Sequence, residues 1–442
     1  MSRESRAPGQ TSVQRAVRFS RDPLGYLDSL RGVDTRLVHG RFVVGPRLTF
    51  VVDPALVHQV LAEDDERYRR PDIQSGRTTR LTANGLIESE GSLWRNQRRR
   101  LQPLFSPEKL AEYGATIGQL TEALRTEWSP GDRYDLYHEM TVLTARVIGK
   151  VLFSTSIDQD RADRIIEADA TIGQEFEISP SALVRQFLPT SPSDEYQRVV
   201  AEMHDWAEDL IEAHRREDDP PNDLVTTMLR AEQQSDVDLP PNQIRDEILT
   251  FLFAGHETTA LTLAYAIWYA ASNPAVGEQL RSEARTVLDG DPPRWEHLDA
   301  LEYTEQVVRE ALRIRPPSWA IFRQAKLDSP LGGTRISEGD FLLCPQWTLH
   351  RDSRHFEAPE QFDPDRWIDR TPSRMSAYFP FGAGPHACIG GQLAMTEATL
   401  VLAALFEKFD FEAADGAVDE LRPAGVLQPR NGVPAVVRRP SD

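Results

Sequence analysis

Cys388 lies in Phe381-Gly-Ala-Gly-Pro-His-Ala-Cys-Ile-Gly390, a glycine-rich loop that runs into an apolar, helix-forming stretch from Gln392 to Phe406. That order places the thiol at a helix N-terminus. Outward-pointing N–H groups there carry partial positive charge, favour thiolate over thiol and can bond the sulfur. A thiolate so placed is a good iron ligand. Gly382, Gly384 and Gly390 lack the Cβ atoms that would keep a flat macrocycle off the backbone. Taken alone, a cysteine among glycines is as often structural as functional.

Three more groups carry chemistry. Glu310 and Arg313, in the helical stretch Thr304 to Ile314, are three apart and share a face. In isolation such a pair is commonplace and worth a few tenths of a kcal/mol at a surface. It is followed by Pro316-Pro317 and by Phe362-Asp-Pro-Asp-Arg-Trp367. In Ala254-Gly-His-Glu-Thr-Thr259, Gly255 costs a helix about 1 kcal/mol against alanine, which asks for a reason. Thr258 can bond back to the Ala254 carbonyl, loosening the ladder and opening a gap. Without context, Glu257 reads as a solvated face and the threonines as solvent or core residues. Trp94 and Arg98 are four apart, so both reach one side of a helix that also carries Arg95, Arg99 and Arg100. Arg323 follows the double proline in Ala320-Ile-Phe-Arg323.

Together, in this order from Trp94 to Phe406, these groups resemble the cytochrome P-450 superfamily, whose loop reads Phe-Gly-x-Gly-x-(His or Arg)-x-Cys-x-Gly. The resemblance implies a mainly α fold with small β-sheets (α+β) and a long central helix crossing a buried haem b. It implies Cys388 as the iron ligand, with Phe381, Gly382 and Gly390 around the cofactor, and Trp94, Arg98, Arg323 and His386 on the haem propionates. Ala254 and Gly255 would line an oxygen groove, where Glu257 and Thr258 relay protons to dioxygen; His256, at a variable position, would be a surface or solvent-channel residue. Glu310, Arg313 and Arg366 would form a buried network that locks the ligand loop, a task suited to the bidentate guanidinium.

By family position, substrate would meet the loop from Ile73 to Ile87, the stretch from Phe176 to Phe187, Phe251, Phe253, and Ser318 to Phe322. Trp319, Ile321 and Phe322 make that last segment apolar, so a hydrophobic isoprenoid or fatty acyl compound is expected to be hydroxylated or epoxidised with O2. Within 442 residues there is no room for a fused flavin or iron-sulfur domain, so electrons would come from a ferredoxin or similar protein. Arg95, Arg99 and Arg100 form a local basic cluster that would suit an acidic donor. A peroxygenase or isomerase, or a non-enzymatic haem carrier, could dispense with the acid and alcohol pair; this chain keeps it.

Positioning these residues needs a helical body bracketed by strands. Arg41 to Asp53 reads as a hairpin around Gly45-Pro46, and Pro54 opens an amphipathic stretch. Helical spacing dominates the middle. Its longest segment, Asn242 to Ser272, stops at Asn273-Pro274 and would extend roughly 45 Å. Strand-like runs return at Leu327 to Cys344, where Cys344 reads as a core thiol, and at Leu421 to Arg438. Residues 1–20 read as a flexible polar segment and residues 21–442 as one catalytic domain.

A net charge of −19 disfavours nucleic acid, whose phosphates need a basic surface. Lys109, Lys150, Lys326 and Lys408 are the only lysines among 50 basic residues, which fits either a GC-rich genome or a high-salt cytoplasm. Met1 to Ser20 holds no apolar run long enough for a signal or membrane anchor. Two cysteines in so long a chain suggest a reduced, cytoplasmic protein.

Overall fold

The computed structural model describes residues 11–41, 46–71, 80–175, 192–234 and 239–440. Helix α1 (Ser12–Arg21) replaces flexible chain in the second half of the segment expected over residues 1–20; residues 1–10 lie outside the described residues. Its first turn is closed by a capping box, in which Thr11 and Gln14 each accept the other's N–H. Ala16 and Phe19, three apart, are buried, and Phe19 meets Phe50 edge-on at 5.1 Å.

Strands β1 (Leu37–Arg41) and β2 (Arg47–Val51) form the expected hairpin, paired from Leu37↔Val51 to Arg41↔Arg47. The first strand starts earlier than the sequence reading placed it, and residues 42–45 lie outside the described segments. A five-stranded sheet then assembles in the order β1-β2-β8-β5-β3. Its other members are β3 (Tyr68–Arg69), β5 (Ile321–Ala325) and β8 (Phe341–Cys344). Strands β4 (Arg133–Asp135), β9 (Asp410–Ala413) and β12 (Pro434–Arg438) make a second sheet, while β6 (Ser329–Leu331) pairs β7 (Thr334–Ile336) and β10 (Leu421–Pro423) pairs β11 (Leu427–Pro429). The strands therefore come from both ends of the chain, as the two late β-like runs indicated.

The helical body lies between. Helices α2 (Pro23–Asp28) and α3 (Pro54–His58) flank the first sheet. They are followed by α4 (Gly91–Leu101), α5 (Pro107–Glu127), α6 (Leu136–Phe153), α7 (Gln159–Glu175), α8 (Asp194–Arg215) and α9 (Leu224–Glu232). Helix α10 (Gln243–Ser272) is the long one, ended by Asn273-Pro274 as expected, because proline blocks the αR conformation of the residue before it. Apolar around most of its circumference, α10 can exist only inside the core, where it packs against α6 and α14. Helices α11 (Pro274–Leu288), α12 (Glu302–Ile314), the short α13 (Gln346–Leu349) and α14 (Gly391–Lys408) complete the body. Among the described residues, no helix is long and apolar enough to cross a membrane.

Candidate active site: a cysteine loop, a cation cluster and the central helix

Cys388 directly precedes α14, as its sequence context required. Its loop is closed by main-chain bonds: Cys388 N–H to Phe381 carbonyl at 2.8 Å, Gly382 N–H to Phe379 carbonyl at 2.9 Å, and Ala387 N–H to Gly384 carbonyl at 3.1 Å. The Phe381 ring seals the loop by lying against Gly391. The three loop glycines serve different ends. A Cβ on Gly384, at φ +71°, would sit 2.1 Å from the Leu61 carbonyl oxygen, so this glycine admits neighbouring backbone rather than a macrocycle. Gly382 (φ +75°) leaves 3.4 Å to Ile321 Cδ1, and Gly390 would meet only Phe105 at 3.7 Å. The Cys388 side chain has open surface, yet protein surrounds it so closely that burial is the largest influence on it and raises its pKa. The Gly390 N–H and then Arg98 and Arg70 work the other way, but the helix N-terminus does not prevail alone, as the sequence reading had assumed.

Behind the loop lies the expected buried network. Arg313 grips Glu310 with two bonds, 2.8 and 2.9 Å, and both side chains are wholly enclosed. Arg366 adds a third bond to the same carboxylate at 3.1 Å. The sequence reading missed two partners. Trp367 Nε1 donates to Glu310 at 3.0 Å, and Arg313 donates to the His350 carbonyl at 2.9 Å. His350 Nε2 accepts the Phe379 N–H, so hydrogen bonds run unbroken from Glu310 to the root of the cysteine loop. Trp367 stood in the quoted motif; His350 carries no local sequence signal.

The residues assigned to a cofactor's acidic edge do meet. Trp94 and His386 rings are 3.8 Å apart and tilted by 32°. Arg98 donates to the Ala387 carbonyl at 2.9 Å, and Arg323, buried in β5, bonds its neighbour's carbonyl on Phe322. Arg70, missed by the sequence reading, joins them and donates to the carbonyls of Leu86 and Ile87. Burial lowers the pKa of His386 to about 3, aided by Arg70, Arg323, Lys326 and Arg98. Burial and mutual repulsion also lower Arg70 to about 10. Among the described residues, no carboxylate forms an ion pair with the guanidinium of Arg70, Arg98 or Arg323; Glu90 takes only the Arg70 main-chain N–H, and Glu88, Glu90 and Asp65 act on these cations from further off. Like charges gathered in a semi-enclosed space are stable only if an anion joins them. Two carboxylates on a flat prosthetic group fit that requirement, and Cys388 lies beside it.

On α10, Thr258 Oγ1 donates to the Ala254 carbonyl at 2.9 Å, as expected. Thr259 and Thr262 do the same to Gly255 and Thr258, and the helix runs on unbroken, so no break accompanies the bond. Ala254 is exposed in the middle of a helix that is otherwise largely buried, between half-buried Phe253 and Gly255, which places a cavity beside it. Gly255 points elsewhere: a Cβ there would come within 2.9 Å of Ile148 Cδ1, so the glycine serves the close approach of α6. Glu257 is buried, accepting from Tyr137 Oη at 2.8 Å and from Gln428. Burial and then the charge of Asp169 raise its pKa to about 7. His256 is no surface or solvent-channel residue. It is wholly buried and bonds Asp169 and the Leu252 carbonyl.

The apolar residues expected to line a substrate pocket divide. Phe251 shares the Ala254 and Thr258 face and stacks on Phe105 at 5.8 Å, whereas Phe253 lies on the other flank beside His256. Trp319 does not line a cavity. It is packed with Phe19 and Phe322 under the first sheet, its Nε1 bonded to the Ala424 carbonyl. Strand alternation sends Phe322 to that same side and turns Ile321 toward Gly382. Cys344 is the packed thiol expected, its pKa raised to about 12 by burial. Residues 72–79 and 176–191 lie outside the described residues, and with them all of the expected stretch from Phe176 to Phe187 and residues 73–79 of the loop from Ile73 to Ile87.

Comparison with known proteins agrees with this geometry. The family description "Cytochrome P450" matches residues 40–434. Cyclooctat-9-en-7-ol 5-monooxygenase of Streptomyces melanosporofaciens is 34% identical over 421 residues, covering 93% of this chain and 90% of the relative. Pentalenene oxygenase of Streptomyces avermitilis is 32% identical, covering 96% and 95%. Cyclooctatin synthase, again of S. melanosporofaciens, is 32% identical, covering 95% and 93%. With a thiol at a helix start, arginines beside it that form no ion pair among the described residues, and relatives along nearly its whole length, this chain belongs to the cytochrome P450 family and is a haem-thiolate monooxygenase.

Proposed function

We propose that Cys388 binds the iron of haem b, that Trp94, Arg98, Arg323 and His386 hold its propionates with Arg70 beside them, and that the enzyme hydroxylates or epoxidises an isoprenoid. The observation that carries this reading is the cluster of Arg70, Arg98 and Arg323, whose guanidinium groups form no ion pair among the described residues, next to the open surface of Cys388. A haem seated there supplies reductive activation of dioxygen, one atom entering a substrate C–H bond and the other leaving as water.

This chain's own residues do the remaining work. Glu310, Arg313 and Arg366 hold the cysteine loop in one conformation. Thr258 uses its hydroxyl hydrogen on the Ala254 carbonyl, which leaves its oxygen lone pairs free to accept a hydrogen bond from a proton carrier. Glu257 is held near the pKa at which it can both take and give one. Phe251 and Ile321 give the cavity apolar walls, and the relatives include terpene monooxygenases. A ferredoxin delivers electrons to α4, where Arg95 and Arg99 are exposed beside Arg100 on an otherwise acidic protein. Two unpaired cysteines suit the reducing cytoplasm as its compartment.

The test is a ligand titration of the haem-loaded protein with terpene hydrocarbons, terpene alcohols and fatty acids. The shift of the haem absorption band on loss of iron-bound water is followed. A shift with terpenes is expected; a shift with fatty acids alone would overturn the substrate class.

A further inference from the structure

Two adjacent residues of α10, His256 and Glu257, enter a polar enclosure built by five other elements. From α6, Tyr137 donates to Glu257 Oε1, and Thr144 Oγ1 donates to the His256 carbonyl at 2.9 Å. Gln428 of β11 also donates to Glu257 Oε1, and Arg422 of β10 in turn holds Gln428. Asp169 of α7 pairs with His256 Nε2. From α14 comes Glu397, whose Oε1 has no partner among the described residues and whose proton is held by burial.

The hydrogen bonds define the charges. His256 Nδ1 faces a main-chain carbonyl and Nε2 faces a carboxylate, groups that only accept, so both ring nitrogens carry hydrogen and the ring is cationic. Burial alone would lower the His256 pKa, but Asp169 overcomes it and raises it to about 9. Tyr137 stays neutral, its pKa pushed well above 10 by burial, and Tyr265, on α10 itself, is neutral for the same reason. Besides Arg422, which bonds Gln428, the enclosure thus holds the hydrogen-bonded pair of Asp169 and His256 and one group free to change charge around neutral pH, Glu257. Both donors to Glu257 bind Oε1. Among the described residues, Oε2 takes no hydrogen bond.

We propose that Asp169 and His256 are positioning residues for Glu257: a charge-balanced pair that sets the pH at which Oε2 exchanges a proton, while Tyr137 and Gln428 pin Oε1. A proton bound at Oε2 neutralises the buried carboxylate, and its release restores the charge. Asp169 alone would make release too hard; His256 alone would make uptake too hard. The inference rests on the proton-relay reading of Glu257 given above.

The two partners act with opposite sign, which makes the proposal testable in resting holoprotein without turnover. The protonated-carboxyl infrared band that disappears in Glu257→Gln is followed against pH in each variant. His256→Gln should move the midpoint up by about one pH unit, and Asp169→Asn should move it down by less, because the His256 ring then holds its proton less firmly. The double variant, which leaves no unpaired buried charge, should return close to the unmodified protein. Tyr137→Phe keeps the pair, removes one donor from Oε1 and should raise the midpoint, so it gives a result even if a single pair variant does not fold. Single variants shifting in the same direction, or an unmoved midpoint in Tyr137→Phe, would overturn the proposal. The share of consumed oxygen recovered in product is then measured against pH. If infrared midpoints shift as stated but this profile stays fixed, the pair's effect stands and the relay reading of Glu257 falls.

Discussion

Arg313 and His350 are joined through main chain: the guanidinium donates to the His350 carbonyl at 2.9 Å while the same residue's imidazole accepts the Phe379 N–H at 3.0 Å. One residue thus couples a buried ion cluster to the loop that presents Cys388. His350→Phe keeps the aromatic contacts with Tyr378 and Phe379 but strands a buried N–H. A loss of about 1–3 kcal/mol in urea unfolding is expected, with faster haem loss. Arg313→Ala, which leaves the Glu310 carboxylate with a buried partner missing, should cost more, about 3–5 kcal/mol. No loss of stability in His350→Phe would mean that the connection carries nothing.

Acid should act through the same residue. Burial and then Arg313 lower the His350 pKa to about 3. A depressed histidine binds fewer protons folded than unfolded, so its contribution is present above about pH 6.5 and is lost as pH falls toward 3. His350→Phe should therefore flatten the fall of unfolding free energy between pH 6.5 and 4, as chemical denaturation at several pH values would reveal.

Alkali should act through α10. Glu247 accepts the Leu86 N–H at 3.0 Å, and burial, partly offset by that bond, raises its pKa to about 8. A raised carboxyl costs stability as pH climbs from its unfolded value through 8. Glu247→Gln retains an acceptor for Leu86 and cannot ionise, so it should gain stability over the unmodified protein at pH 9, on the order of 2 kcal/mol, and little at pH 5. Parallel pH profiles would refute this.

Reversing Arg99 and Arg100 to glutamate should slow reduction by ferredoxin several-fold at low salt without altering the haem spectrum, and added salt should narrow the gap. Stopped-flow reduction measures it; an unchanged rate places the donor elsewhere.

Thr258→Ala removes a hydroxyl that bonds Ala254 and nothing in the fold's core. Folding and haem content should be kept, while oxygen consumption separates from product and peroxide appears. Tight coupling in the variant would remove Thr258 from the proton path.

Much of this was legible in the sequence because local rules suffice where chemistry needs fixed spacing. The Cys388 loop, the Glu310 and Arg313 pair and the bounds of α10 each follow from residues close along the chain. What escaped depends on distant partners. Arg70 is a tethering cation only because Arg98, Arg323 and His386 fold against it, and His256 reads as solvated until Asp169, 87 residues away, meets it. Trp319 misled for a related reason: an apolar residue beside apolar neighbours says nothing about which side of a strand it takes, and this one faces the sheet's own core. The helix at Ser12–Arg21 was hidden by its arginines, which lie around a narrow Ala16 and Phe19 stripe.

The central claim, that Cys388 holds the haem iron, is tested most directly by comparing absorption spectra of the unmodified protein and Cys388→Ser after haem loading. The unmodified protein should show thiolate-type haem absorption and the variant should lose it, whether or not haem remains bound. Thiolate-type absorption persisting in Cys388→Ser would contradict the account.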